Sequence, residues 1–194
     1  MYRLLPFIVL ALLAVALFSG PVVAETGIRS VQADFTQEKQ MKILSRPLLS
    51  RGTLVFQAPQ SLRWEYHTPL RSIMLLHKGR MAKMVERNGR FTEENRAGIS
   101  SMQIILEEIS SWLDGRFTDN PMFVVDTSRA RTVLLSPKEP GLQAIISRIE
   151  LQLGEPDGVI DSVTIFEGAD SWTKLTFSNT VLNQVIPATV FQEP

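Results

Sequence analysis

The chain has 194 residues, 20 Lys+Arg against 20 Asp+Glu, 44% hydrophobic and 21% charged residues, and no cysteine. This is the composition of one folded domain. Zero net charge removes the driving force for non-specific nucleic-acid binding, and zero cysteine excludes disulfides, thiolate metal sites and a cysteine nucleophile. Two histidines, His67 and His77, leave little for a metal site or a general base.

The first 24 residues read as an export signal. Arg3 supplies a positive start, Leu4 to Phe18 is apolar apart from Pro6, and Ser19-Gly20-Pro21 breaks the helix ahead of Val22-Val23-Ala24. Fifteen residues at 1.5 Å each span about 22 Å, short of the roughly 30 Å hydrocarbon core. Cleavage is expected after Ala24, leaving residues 25–194 as one domain with 19 basic and 20 acidic residues, a formal charge of −1. No cysteine is available at a new N-terminus for lipidation.

The dominant period thereafter is two. Val31, Ala33 and Phe35 alternate with polar neighbours in a strand running towards Met41. Leu54 and Phe56 alternate in a second strand that starts near Thr53. After the turn Ala58-Pro59-Gln60, Leu62, Trp64 and Tyr66 alternate with Arg63, Glu65 and His67, which places aromatics on one face and charge on the other. Ser72 to His77 is a short apolar strand closed by Lys78-Gly79. Met81 to Glu86 and Phe91-Thr92 flank Asn88-Gly89, a type I′ hairpin signal.

The segment that follows has another period. Met102, Ile105, Leu106, Ile109, Trp112 and Leu113 form one stripe of an amphipathic helix, with capping-box spacing at Ser100 and Gln103 and a stop at Asp114-Gly115. Strands resume at Met122–Asp126, Thr132–Leu135, Ile145–Leu153, Val159–Phe166 and Thr173–Phe177. Ten or so strands and a single helix predict an antiparallel sheet, with the helix stripe covered by the sheet's concave face.

Catalytic chemistry is poorly supplied. Neither histidine sits in a nucleophile motif, and no G-x-S-x-G, P-loop, dinucleotide fingerprint or EF-hand loop occurs. Glu107 and Glu108 are adjacent on a helix and cannot face each other across a substrate. No cofactor and no metal are expected. Met74, Met81, Met84 and Met102 are soft apolar residues that either fill a core or line a cavity.

Several segments together resemble a known family. Phe35-Thr36-Gln37, then Ser50-Arg51-Gly52-Thr53-Leu54-Val55-Phe56, Pro59, Leu62-Arg63-Trp64-Glu65-Tyr66 and Pro69 are similar to the pattern of LolA, the periplasmic outer-membrane lipoprotein carrier. Leu113-Asp114-Gly115, Leu134-Leu135-Ser136-Pro137-Lys138, Leu175-Thr176-Phe177-Ser178-Asn179, Asn183, Ile186-Pro187 and Phe191 resemble its later elements. The resemblance implies an unclosed antiparallel β-barrel with a helical lid over a hydrophobic cavity. It implies a monomeric periplasmic carrier that takes acylated lipoproteins from an inner-membrane ABC-type complex to an outer-membrane acceptor. Cavity residues would be Phe35, Leu54, Phe56, Leu62, Trp64, Tyr66, Ile73 and Leu75, and the lid would present Met102, Ile105, Leu106, Ile109 and Trp112. Two positions depart from the pattern: Ala58 stands where well-studied carriers often have arginine, and only Glu25 to Ser30 precede the first strand, without their longer N-terminal helix. A LolA-like carrier of another lipid, or a lipoprotein-sensing adaptor, fits the same resemblance.

Overall fold

The structure is a computed structural model, and it describes residues 28–94, 111, 120–155, 159–168 and 170–194. The export signal lies outside them, as does the predicted helix apart from Ser111, which is helical. The first strands are β1 (Ser30–Gln40), β2 (Leu48–Gln57), β3 (Ser61–Thr68), β4 (Ser72–His77), β5 (Arg80–Arg87) and β6 (Arg90–Glu93). They are followed by β7 (Phe123–Arg129), β8 (Thr132–Pro137), β9 (Arg148–Leu153), β10 (Ile160–Phe166) and β11 (Trp172–Leu182). A four-residue helix, α1 (Pro140–Gln143), links β8 to β9, and a 3-10 turn spans Ala188–Phe191.

All eleven strands join one antiparallel sheet in the order β6-β5-β4-β3-β2-β1-β11-β10-β9-β8-β7. The sheet is two meanders, joined where β1 pairs with β11. Its outermost strands, β6 and β7, do not pair with each other, so it stays unclosed. A sheet this wide curls under its own twist, and register shifts at Gln32/Asp34, Arg51/Gly52 and Ile160/Ser162 bend it further.

Local chemistry explains the turns. Asn88 and Gly89 both take positive φ, 53° and 75°, as a type I′ turn requires, and Lys78-Gly79 does the same at 51° and 74°. Several strand boundaries differ from the sequence expectation; β7 runs on to Arg129 and β11 to Leu182, and two strands start elsewhere. β2 starts at Leu48 rather than near Thr53, because Leu48 and Leu49 pair with Lys39 and Glu38 although consecutive leucines hide the alternation. β9 starts at Arg148 rather than Ile145: Pro140 sits in the first turn of α1, and the chain reaches the sheet only after the exposed Ile145.

Candidate functional site

Directly paired residues in an antiparallel sheet share a face, so the register defines the candidate site row by row. Across β1 to β4 the rows are Val31–Phe56–Leu62–Leu76, Ala33–Leu54–Trp64–Met74 and Phe35–Gly52–Tyr66–Ser72. On the other side of the sheet they continue as Gln37–Leu175–Val163–Leu151–Val133 and Lys39–Thr173–Ile165–Ile149–Leu135. Most apolar members of these rows form one contiguous buried cluster, with Phe123 added from the start of β7 and Ile146 from between α1 and β9.

Aromatic rings concentrate where β1 meets β3. The Phe35 ring lies 4.8 Å from Trp64 and 5.1 Å from Tyr66, the second contact edge-on, and Trp64 meets Phe177 at 6.4 Å. Gly52 makes this possible. A Cβ there would collide with the Glu65 carbonyl oxygen and stand 2.7 Å from the Phe35 ring, so the ring rests on bare backbone. Gly52→Ala is therefore expected to cost about 1–3 kcal/mol, read as a fall in the urea midpoint. A variant as stable as the parent would mean that the ring can move aside.

This apolar face contains a few polar groups. The Tyr66 hydroxyl donates to Gln37 Oε1 at 2.7 Å. Burial pushes the Tyr66 phenol up to about 12, only partly offset by the neighbouring Trp64 indole. Among the described residues, Trp64 Nε1 and Thr173 Oγ1 are buried with no hydrogen-bond partner. Buried donors without acceptors are rare in native proteins and call for an explanation.

Of the sequence-predicted cavity residues, Phe35, Leu54, Phe56, Leu62 and Trp64 lie in this cluster and Tyr66 packs against it. Ile73 and Leu75 do not. Glu65 pairs with Ile73 and Arg63 with Leu75, which puts both on the opposite face; Met74 and Leu76 occupy the places expected of them. The run Ser72 to His77 is apolar on both sides, so its period cannot choose a face and only the register with β3 can. Met102, Ile105, Leu106, Ile109 and Trp112 lie outside the described residues. The sequence reading also missed Leu175 and Phe177 as parts of the wall, although both alternate correctly within β11.

The opposite face has its own cover. The chain leaves β11 at Asn183, whose φ is 57°, and Ser30 Oγ donates to the Gln184 carbonyl at 2.6 Å. The C-terminal segment then crosses β3 to β5. Ile186, Phe191 and the half-buried Val190 pack on Ile73, Leu75 and Met84. Arg63 Nη1 donates to the carbonyls of Val190 and Gln192 at 3.2 and 3.3 Å. The His77 ring stacks on Phe191 at 5.5 Å and accepts or donates at Ser61 Oγ, 2.8 Å away. Beneath this strap Glu65 is 8% exposed and paired with Arg63 at 2.8 Å and Arg71 at 3.3 Å. Burial alone would raise its carboxyl, but the hydrogen bonds and charges of Arg63, then Arg71, then His67, prevail and hold it below the usual carboxylate value. Arg63 and Glu65 on the charged side of β3 are therefore a largely covered anchor, while His67 at the end of the strand is exposed.

Among the described residues, no group of three or more His, Cys, Asp or Glu could hold a metal ion, and no helix is long and apolar enough to cross a membrane.

This geometry defines a mainly β protein, one unclosed antiparallel sheet with a continuous apolar face. The chain belongs to the LolA family: the model for outer membrane lipoprotein carrier protein LolA matches residues 26–193. The family is one of lipoprotein and lipid carriers or binders. No curated protein matches the chain by sequence. Among solved structures, a LolA superfamily protein from Nitrosomonas europaea is 10% identical over 85% of this chain and 90% of its own, with a TM-score of 0.44. An outer membrane lipoprotein-sorting protein domain from Vibrio parahaemolyticus is 10% identical over 84% of this chain and 89% of its own, with a TM-score of 0.40. MucB in the Pseudomonas aeruginosa MucA/MucB complex is 12% identical over 86% of this chain and 56% of the matched chain, with a TM-score of 0.41.

Proposed function

We propose that this protein is exported by its first 24 residues and works in the periplasm as a carrier of acyl chains. It would take lipoproteins from an inner-membrane ABC-type release complex and pass them to an outer-membrane acceptor. The observation that carries this reading is the uninterrupted apolar face of the sheet, together with the family match over residues 26–193. Exposing an acyl chain to water costs about 0.8 kcal/mol per CH₂. A soluble carrier offsets that cost with protein apolar surface and needs no bond-making chemistry, nucleotide or metal to do so. Phe35, Leu54, Phe56, Leu62, Trp64 and Tyr66 would form the sheet side of the contact. The predicted helix with Met102, Ile105, Leu106, Ile109 and Trp112 would form the lid.

Among the described residues, the wall beside β1 carries a recess of about 10 Å³, lined by Val31, Ala33, Leu54, Val159, Ile160 and Phe177 among others, no larger than one water. On this reading the lid admits cargo to the face. The unpartnered Trp64 indole N–H and Thr173 hydroxyl would then meet the ester or amide carbonyls of the acyl group. Ala58, in the place of the arginine frequent in well-studied carriers, favours a second reading in which the cargo is another lipid.

Mass spectrometry of lipid co-purifying with the exported protein tests both readings, because the attached group identifies the cargo. Trp64→Phe should stay within about 1–2 kcal/mol of the parent stability, yet hold several-fold less cargo through the loss of one hydrogen bond. A protein that carries no lipid and fails to keep a labelled lipoprotein in solution would refute the carrier reading.

A further inference from the structure

The loop joining β1 to β2 projects from one end of the sheet, beyond the last ladder pair, Lys39 with Leu48. Its apex exposes Ile43 to 87%, and Leu48 and Leu49 are 52% and 50% exposed at its base. Leu70, 56% exposed, follows Thr68, which pairs with Arg51, and so lies at the same end. Exposed leucine or isoleucine side chains are ordinary one at a time; four at one end of a sheet are not.

Charge is concentrated in the same place. The protein as a whole carries 20 basic and 20 acidic residues, yet Glu38 to Arg51 contains Lys39, Lys42, Arg46 and Arg51 against the single carboxylate of Glu38. Lys39 is engaged by Glu167 at 3.1 Å. Lys42, Arg46 and Arg51 are exposed and make no ion pair among the described residues.

Part of the loop's backbone is satisfied from within. Leu44 N donates to the Met41 carbonyl at 2.9 Å, and the Gln40 side-chain amide donates to the carbonyls of Met41 and Leu44 at 2.9 and 2.8 Å. A loop that turns its own carbonyls inward can place an apolar tip in a poorly hydrated layer without stranding them. Long basic side chains beside such a tip keep their heads at the phosphate level.

We propose that the β1–β2 hairpin is a membrane-docking element. Ile43, with Leu48 and Leu49 behind it, enters the interface of an anionic bilayer, while Lys42, Arg46 and Arg51 contact lipid phosphates. Clustered cations alone would suit an acidic protein surface equally well. An exposed apolar apex with cations on both sides of it favours lipid, because an anionic bilayer presents phosphates directly above an apolar layer. The docking is separable from the cargo: Ile43 is at the apex and Leu49, paired with Glu38, is on the side away from the apolar face, whereas Leu48, paired with Lys39, stands at the rim of that face.

Co-sedimentation with vesicles of phosphatidylglycerol and phosphatidylcholine, against pure phosphatidylcholine, tests this. The parent is compared with Ile43→Ser/Leu49→Ser and with Lys42→Gln/Arg46→Gln/Arg51→Gln, so any contribution from the N-terminal segment is common to all three. The parent should prefer the anionic vesicles and dissociate as salt rises, and each variant should bind at least tenfold less while keeping the parent's thermal midpoint. Parent binding no better to anionic than to neutral vesicles overturns the proposal, as does either variant binding like the parent. The vesicles contain no lipoprotein, and lipid content is measured separately, so the docking and carrier readings fail independently.

Discussion

Phe35→Ala is expected to lower the stability of the fold by about 3–5 kcal/mol. The ring is 2% exposed and stands where three strands converge, with Trp64 and Tyr66 on it and Gly52 beneath it. Its removal leaves a void that stiff strands cannot close, because β1 is held on both sides by β2 and β11. For a chain of this length the loss corresponds to a fall in thermal midpoint of very roughly 6–20 °C, at about 2–4 °C per kcal/mol. Urea titration should show a lower midpoint at an unchanged slope, since the native surface stays the same. A loss below about 1 kcal/mol would mean that the aromatic cluster relaxes over Gly52 and that the wall of the proposed site is soft. On the carrier reading the same variant also loses cargo, but cargo loss with little destabilisation is the result to seek at Trp64, whose N–H has no hydrogen-bond partner among the described residues.

Much of the sheet was legible because one face of most strands is apolar. Val31, Ala33 and Phe35, or Leu62, Trp64 and Tyr66, announce both a strand and the face it turns inward. Asn88-Gly89 announces a hairpin because few other pairs tolerate two successive positive φ values. Where both sides of a strand are buried, the period is silent. Ser72 to His77 is covered on one side by the main cluster and on the other by the C-terminal segment, which is why Ile73 and Leu75 were assigned to the wrong face. That segment has no periodicity. Val185-Ile186 and Val190-Phe191 are short apolar pairs on either side of Pro187, and nothing local reveals that Ile186, Val190 and Phe191 fold back to β4, far away in the sequence. The charged alternation of Arg63, Glu65 and His67 says nothing of cover either: Arg63 and Glu65 lie under the strap, while His67 is exposed. The polar features of the candidate site are invisible for a different cause, because whether Trp64 finds an acceptor depends on distances that no spacing encodes.

The strap rests on Glu65, and its removal should have the second large effect. Glu65→Ala leaves Arg63 and Arg71 without the carboxylate that aligns them, in a place where Glu65 and Arg63 side chains are only 11% and 18% exposed. Breaking such a pair from one side costs about 3–5 kcal/mol when burial is complete; with this residual access, about 2–4 kcal/mol is expected. Arg63 also grips the carbonyls of Val190 and Gln192, so the variant should expose the segment after Asn183 to carboxypeptidase and to faster amide exchange before the sheet unfolds. The pH dependence has a fixed sign. The Glu65 carboxyl lies below its ordinary value of 4.5 in the fold, so its contribution is complete above that pH and drains away as pH falls and the folded carboxyl takes up its proton. Parent protein should therefore lose strap protection on acidification from about 4.5 downward, whereas Glu65→Gln should be weaker at neutral pH and nearly flat across the same interval. Equal protection in parent and Glu65→Ala at neutral pH would show that Ile186, Val190 and Phe191 hold the strap by apolar contact alone, with the ion pair a passenger beneath it.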